Sequence, residues 1–364
     1  MNKQTNFWEK NGKYLLALAL VLAGTSLVMN VVTRVLEQGE KPAETEKPEF
    51  WLDKEETHVV NILAAGAVMP CNEDTDDVFA GLGQLVNNYE YAAVTYHSLV
   101  GTDSQTSFAD NVCRQGFNMI GLAYPEVHAD GKDAIDTSMN YWNRSSARIS
   151  GTHSSTDERN QLRIFEQNGI STVYLSFTDG LKDPLPENEA YLVNVYDDEK
   201  TPQFVSKAAE QADLVIVSIA WEGGQGALPN DRQKQIAEAL AGAGASVIIG
   251  YADNAVQPVC WIDDTLVFYS LGNLYSESEE ITNRIGALGA VTVTETIYGD
   301  RHRIELTNPK MDLVASVKDE SIHAKVILLD KATEEQIPSC KELYEGYVQT
   351  LQRMDDSIRI GGLK

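Results

Sequence analysis

The chain reads as an α/β domain whose sheets are covered by helices, preceded by one N-terminal transmembrane helix. Three observations predict this: short continuous apolar runs through the middle of the chain, segments of helical composition between them, and an apolar stretch over residues 14–32. Apolar runs without polar alternation belong to strands buried on both faces, and alternation of strands with helices favours a helix-layered sheet. With 364 residues and 43% hydrophobic content, the chain can build one large domain or two medium ones.

The elements follow in order. In residues 14–32 only Gly24, Thr25, Ser26 and Asn30 interrupt an apolar run of about 19 residues, the length of one helical span of the hydrocarbon core. Lys3, Lys10 and Lys13 precede it, which favours a cytoplasmic tail over 1–13 and an extracytoplasmic remainder. A cleaved signal peptide is the alternative. Residues 33–57, rich in Glu, Lys and Pro, read as an extended stalk. A domain over 58–330 follows, then a C-terminal helix and tail over 331–364.

Within the domain, strands are expected at 59–66, 91–96, 118–122, 172–177, 214–219, 246–250, 266–270 and 289–293. Helices are expected at 107–115, 134–142, 156–168, 203–211 and 231–241, the last capped by Asn230 or Asp231. The C-terminal part changes character. Residues 291–305 and 323–329 suit antiparallel strands at one side of a sheet, and 333–354 an amphipathic closing helix.

Charge narrows the partners. The 54 acidic and 29 basic residues give a formal net charge of -25, which repels phosphate backbones, so nucleic acid is excluded as a partner. Cys71, Cys113, Cys260 and Cys340 could pair outside a membrane in three ways, or remain buried thiols. Their spacing does not suit a zinc ribbon. A Gly-x-Ser-x-Gly elbow is absent, and Gly223-Gly224-Gln225-Gly226 lacks the ending of a phosphate loop. None of His97, His128 and His153 has paired-ligand spacing, so surface or satisfied core roles are expected for them.

In such a fold the chemistry belongs to loops at the C-terminal ends of strands. Five blocks there stand in order: Gly66-Ala67-Val68-Met69; Gln115 to Ala123 followed by Tyr124-Pro125-Glu126; Arg163 to Ile170; Ala220-Trp221-Glu222-Gly223; and Gly250-Tyr251-Ala252-Asp253-Asn254 with Gln257-Pro258 and Tyr269-Ser270-Leu271-Gly272-Asn273. Together they resemble the bacterial capsule-synthesis CapA family, of the poly-γ-glutamate synthesis type. The resemblance implies a calcineurin-like metallophosphoesterase fold, a four-layer α-β-β-α sandwich. It also implies metal ligands at four positions that here hold Ala67, Pro125, Ala220 and Ala252.

A two-metal phosphoesterase needs converging Asp, Asn and His ligands, because cations about 3.5 to 4 Å apart clamp the phosphoryl oxygens and generate hydroxide. Alanine and proline side chains offer no donor atom, so neither a binuclear centre nor a cofactor is expected. Glu126, Glu222 and Asp253 are the weak candidates for a rebuilt carboxylate site, which would make the chain a hydrolase or transferase of envelope polymer. Tyr124, Trp221, Tyr251, Asn254 and Asn273 are candidates for lining a binding cleft. The resemblance implies work on a capsule or poly-γ-glutamate polymer at the cell membrane. The expected partners are synthesis or export proteins, the membrane itself through the N-terminal helix, and a glycan or polyglutamate chain. A small-ligand sensor is the third reading.

Overall fold

The computed structural model describes residues 20–26, 28–29, 55–70, 78–101, 103–223, 226–252, 254–299, 301–318 and 324–363. Two compact units result, Met1–Lys54 and Glu55–Lys364. In the first, residues 20–26 and 28–29 are helical, and Leu20, Val21, Leu22, Val28 and Met29 are exposed. Among the described residues no helix is long and apolar enough to cross a membrane. Most of the expected span, the tail before it and the stalk up to Lys54 lie outside the described residues.

The second unit is built on two sheets. The larger runs β14-β13-β12-β1-β2-β3-β4, with β11 beside β1 and β15 beside β13. Its strands are β1 (Glu56–Val68), β2 (Tyr91–Tyr96), β3 (Met119–Gly121), β4 (Arg148–Ser150), β11 (Asn273–Tyr275), β12 (Ile285–Tyr298), β13 (Arg301–Lys318), β14 (Ala324–Leu328) and β15 (Arg359–Ile360). The smaller runs β5-β6-β7-β8-β10-β9. It contains β5 (Ile164–Gln167), β6 (Ile170–Thr178), β7 (Leu214–Ala220), β8 (Val247–Tyr251), β9 (Val259–Ile262) and β10 (Thr265–Phe268). Helices α1 (Asp103–Gln115), α2 (Lys132–Trp142), α3 (Thr156–Asn160), α4 (Lys200–Ala209), α5 (Asp231–Gly242) and α6 (Cys340–Leu351) complete it.

Side-chain alternation explains the layers. On β1, Ile62 and Ala64 face inward and join Ile216 of β7 and Ile249 of β8 between the sheets, while Leu63 faces outward. Leu63, Val94 and Ile120 pack against Phe108 and Val112 of α1 and Met139 and Trp142 of α2. Val215, Val217 and Ile248 pack on the far side against Val205 and Ala208 of α4 and Ile236 and Leu240 of α5. Both faces of these strands are dry, which is why their sequences are continuous apolar runs. The result is the expected α-β-β-α sandwich. The larger sheet is wider than its partner, and α6 joins the inner core beside Met311 and Leu313 of β13 through Leu343, Tyr347 and Leu351.

Two expected helices are shorter than anticipated. The segment 156–168 is helical only over Thr156–Asn160; Ile164–Gln167 is a strand paired antiparallel with β6. The cause is the turn Asn168-Gly169, whose residues adopt φ 51° and 88° and close a two-residue hairpin between paired Gln167 and Ile170. Asn-Gly is the preferred sequence for two positive φ values, and it overrides the helical composition before it. The closing helix starts at Cys340 rather than 333 and ends at Leu351. By contrast α5 starts as expected: Asn230 accepts from the Gln233 amide and the Gln233 side chain returns the bond to the Asn230 amide.

Cys113, Cys260 and Cys340 are free thiols, and Cys71 lies outside the described residues. Burial pushes the Cys113 and Cys260 thiols up to about 11, so they stay protonated at neutral pH.

The sheets are joined where the chain passes from β10 to β11. A Cβ on Gly66 would overlap the carbonyl oxygen of Gly272, one on Gly250 that of Tyr269, and one on Gly286 that of Asn273. We predict that Gly66→Ala lowers unfolding free energy by at least about 2 kcal/mol, since rigid backbone blocks the added methyl. Gly242→Ala, at a helix position with open space, should be neutral or stabilise by up to about 1 kcal/mol. Urea unfolding of both variants checks the pair. Equal stabilities would contradict the close crossing.

Candidate functional site

Strands from both sheets end at one place. Ala67 is the penultimate residue of β1, Ala220 closes β7 and Tyr251 closes β8, and these three form a single apolar cluster with Met69 packed on it. Ala67 pairs with Asn273 of β11 and Thr95 of β2, while Ala220 pairs with Tyr251. The amide of Ala67 donates to Gly272 O at 2.9 Å, and that of Trp221 to Tyr251 O at 2.8 Å.

His97 follows β2 directly, its amide donating to Val68 O at 3.0 Å. Its ring stacks on Tyr124 with centroids 4.9 Å apart and meets Tyr251 edge-on at 4.4 Å. His97 is half-buried as a residue, and its Nε2 is buried and has no hydrogen-bond partner. Burial pushes the imidazole down to about 3, so His97 is neutral at physiological pH. Tyr124 is 8% exposed and Tyr251 6%, so these aromatic rings fill the gap between the strand ends instead of lining an open cleft.

A polar cap lies beside this column. Asn254, held at φ 67°, accepts from Tyr251 Oη at 3.2 Å and from Asn273 Nδ2 at 2.7 Å. Asn273 Nδ2 also donates to Asn283 O at 2.8 Å, while its Oδ1 is buried without a partner. Ser270 ties the loop down by accepting from the Ala252 amide and donating to Ala255 O. Gln257 donates to Gly226 O at 2.9 Å and Leu228 O at 3.2 Å, so its role is to hold the neighbouring loop.

The remaining candidates separate. Trp221 is 1% exposed, belongs to the core under α4 and α5, and donates through Nε1 to Tyr269 O at 2.7 Å. Glu126 and Glu222 are exposed, and Asp253 lies outside the described residues. Glu222 leans over Gly180, where a Cβ would overlap its Oε2.

Sequence reasoning passed over Asp179 at the end of β6. Arg232 of α5 bridges Asp179 at 3.3 Å and Asp198 at 2.7 Å. Burial raises the Asp179 carboxyl above its usual range, and Arg232 opposes that rise. An acid directly after the strand run was the available signal. His97, expected at the surface or as a satisfied core residue, is half-buried with an unpartnered nitrogen that no sequence feature marks. His153 is such a satisfied core residue, with Nε2 3.0 Å from Asn194 Oδ1.

A binuclear metal group does not fit these residues. Ala67, Ala220 and Ala252 are at most 1% exposed, and the volume ahead of Ala67 and Ala220 is occupied by Met69 and Tyr251. Among the described residues no three His, Cys, Asp or Glu side chains converge in a way that could hold an ion.

These features define a four-layer α/β protein whose loop cluster at the strand ends is closed by aromatic and apolar packing. The chain belongs to the family described as bacterial capsule synthesis protein PGA_cap, which matches residues 20–278. It is 26% identical over 246 residues to the PGA biosynthesis protein CapA of Bacillus subtilis (strain 168), covering 66% of this chain and 63% of that one. It is 23% identical over 224 residues to the capsule biosynthesis protein CapA of Bacillus anthracis, covering 55% and 53%. The chain thus spans less than two thirds of the length of both curated relatives. Among solved structures it is similar to TT1561 of Thermus thermophilus, with TM-score 0.38 and 9% identity over 63% of this chain and 93% of that one. The 5'-nucleotidase from Candida albicans SC5314 gives TM-score 0.38 and 8% identity over 63% and 46%.

The buried neutral imidazole makes a testable contribution to pH dependence. Its folded pKa lies below the unfolded value of 6.5, so the unfolded chain binds more protons between those values. The His97 penalty is absent above pH 6.5 and grows as pH falls toward 3. His97→Phe should therefore gain stability relative to the parent as pH drops from 7 to 4, measured by urea unfolding at each pH. A difference independent of pH would contradict a neutral His97.

Proposed function

We propose that this chain acts at the outer face of a bacterial membrane in making, exporting or anchoring an envelope polymer of capsule or poly-γ-glutamate type. Its part is binding or scaffolding, not metal-dependent hydrolysis. Family membership and the relatives' roles in PGA and capsule biosynthesis support the process. One observation carries the non-catalytic part: of the four positions from which the family would present metal ligands, Ala67 and Ala220 are buried in one apolar cluster with Met69 and Tyr251, Ala252 is buried in the adjoining core, and Pro125 offers no side-chain donor.

The apolar run over 14–32 with Lys3, Lys10 and Lys13 before it supports a single-pass anchor with a cytoplasmic N-terminus. A net charge of -25 disfavours direct capture of a polyanion without bridging cations. A protein of the synthesis or export machinery, or a neutral glycan, is the better partner.

Deleting the gene in its own bacterium should lower cell-associated polymer. A chain carrying Glu126→Ala, Glu222→Ala and Asp253→Ala together should restore it fully, as measured by polymer yield per cell. Failure of a folded triple variant would favour a carboxylate-based enzyme instead.

Purified full-length protein should carry Mn, Fe and Zn at well under one equivalent each by elemental analysis. Stoichiometric metal, removed together with phosphodiesterase or amide-hydrolase activity, would overturn the scaffold reading.

A further inference from the structure

A cavity of about 520 Å³ opens away from the closed strand-end cluster, beside α3 and α4. That volume is in the range of small-molecule sites. Its walls include Phe177 at the end of β6, Phe204 of α4, Tyr196 and Leu185, with Arg159 and Lys200 among the polar lining. Phe177 and Tyr196 belong to the outer core of the smaller sheet, so the cavity lies outside the space between the sheets.

Arg159 is the telling residue. In a chain with 54 acidic residues it forms no ion pair with any described carboxylate, and Nη1 is spent on Ala190 O at 2.6 Å. Burial pulls its pKa down, and Asp197 pulls the other way. The fork therefore retains unengaged N–H donors within a partly apolar wall.

Lys200 opens α4 and its ammonium stands 3.9 Å from Asp197 Oδ2, largely in solvent. The Asp197 carboxylate is itself committed, because Oδ1 accepts from the amides of Glu199 and Lys200. Two cations and one carboxylate leave the lining with a single excess positive charge. That balance favours a monoanion over a phosphate dianion, whose second charge would meet Asp197.

We propose that this cavity binds an amphipathic monocarboxylate, its carboxylate on Arg159 and Lys200 and its apolar body against Phe177, Leu185 and Phe204. The site requires nothing of the closed cluster and stands independently of the role proposed above.

Hexanoate is the probe, with hexanamide and inorganic phosphate as controls, in ligand-observed NMR titrations of the full chain. Hexanoate should saturate, bind at least tenfold more tightly than either control, and weaken with added salt. Arg159→Gln should weaken it tenfold or more. Lys200→Gln changes a largely solvent-exposed side chain that cannot be needed for folding, and should weaken it severalfold. Equal binding of hexanamide, tighter binding of phosphate, or unchanged affinity in both folded variants would overturn the proposal.

Discussion

The structure depends on a backbone crossing that only glycine permits. Between β10 and β11 the chain leaves the smaller sheet and enters the larger one, passing residues without side chains at Gly66, Gly250 and Gly286. Gly272 itself adopts φ 60°, a conformation that glycine takes at little cost. This passage lets the Ala67 amide bond Gly272 O and sets Asn273 beside Ala67. The same passage brings Tyr269 O within reach of Trp221 Nε1. One close approach thus fixes the relative position of both sheets and the base of the strand-end cluster.

Apolar packing then decides what the cluster can do. Where hard ligands would have to stand exposed to an ion, Ala67, Ala220 and Tyr251 instead contribute to a dry contact. The His97 ring, stacked on Tyr124 and edge-on to Tyr251, extends that contact. A neutral imidazole suits such a position, because a charged one would lose its solvation with no carboxylate to compensate. Polar groups survive at the rim, where Asn254 and Asn273 bond to each other and to backbone. Burial raises the Asp179 carboxyl and Arg232 opposes that rise while also pairing with Asp198.

Much of the layering could be read in the sequence because both sheets are buried on both faces. Runs such as Leu214 to Val217 are apolar without interruption for that reason, and β2 begins and ends where its run does. Short edge strands left no such trace. β4, β9 and β11 each have at most four residues and are fixed by pairing across distant parts of the chain. β5 carried a clear signal in Asn168-Gly169, yet helix-compatible residues before it obscured the turn. At the site it was visible that Ala67, Pro125, Ala220 and Ala252 offer no side-chain donor, because a donor atom is present or absent in the residue itself. How the space around them would be filled was not visible. That depends on rotamers of Tyr124, His97 and Tyr251, which come from three separate parts of the chain.

Small residues at the strand ends of a two-sheet sandwich would leave a void if nothing packed over them, and voids weaken a domain in proportion to their volume. Here bulky rings occupy that region, so the space is filled and the scaffold gains no obvious weak point. The filling has a structural consequence. Carboxylates returned to positions 67 and 220 would meet the Tyr251 ring and Met69 before they met an ion, and would be buried without partners. The closed cluster is therefore held by packing that opposes charge, while Arg159 and the open cavity lie against the outer core of the smaller sheet.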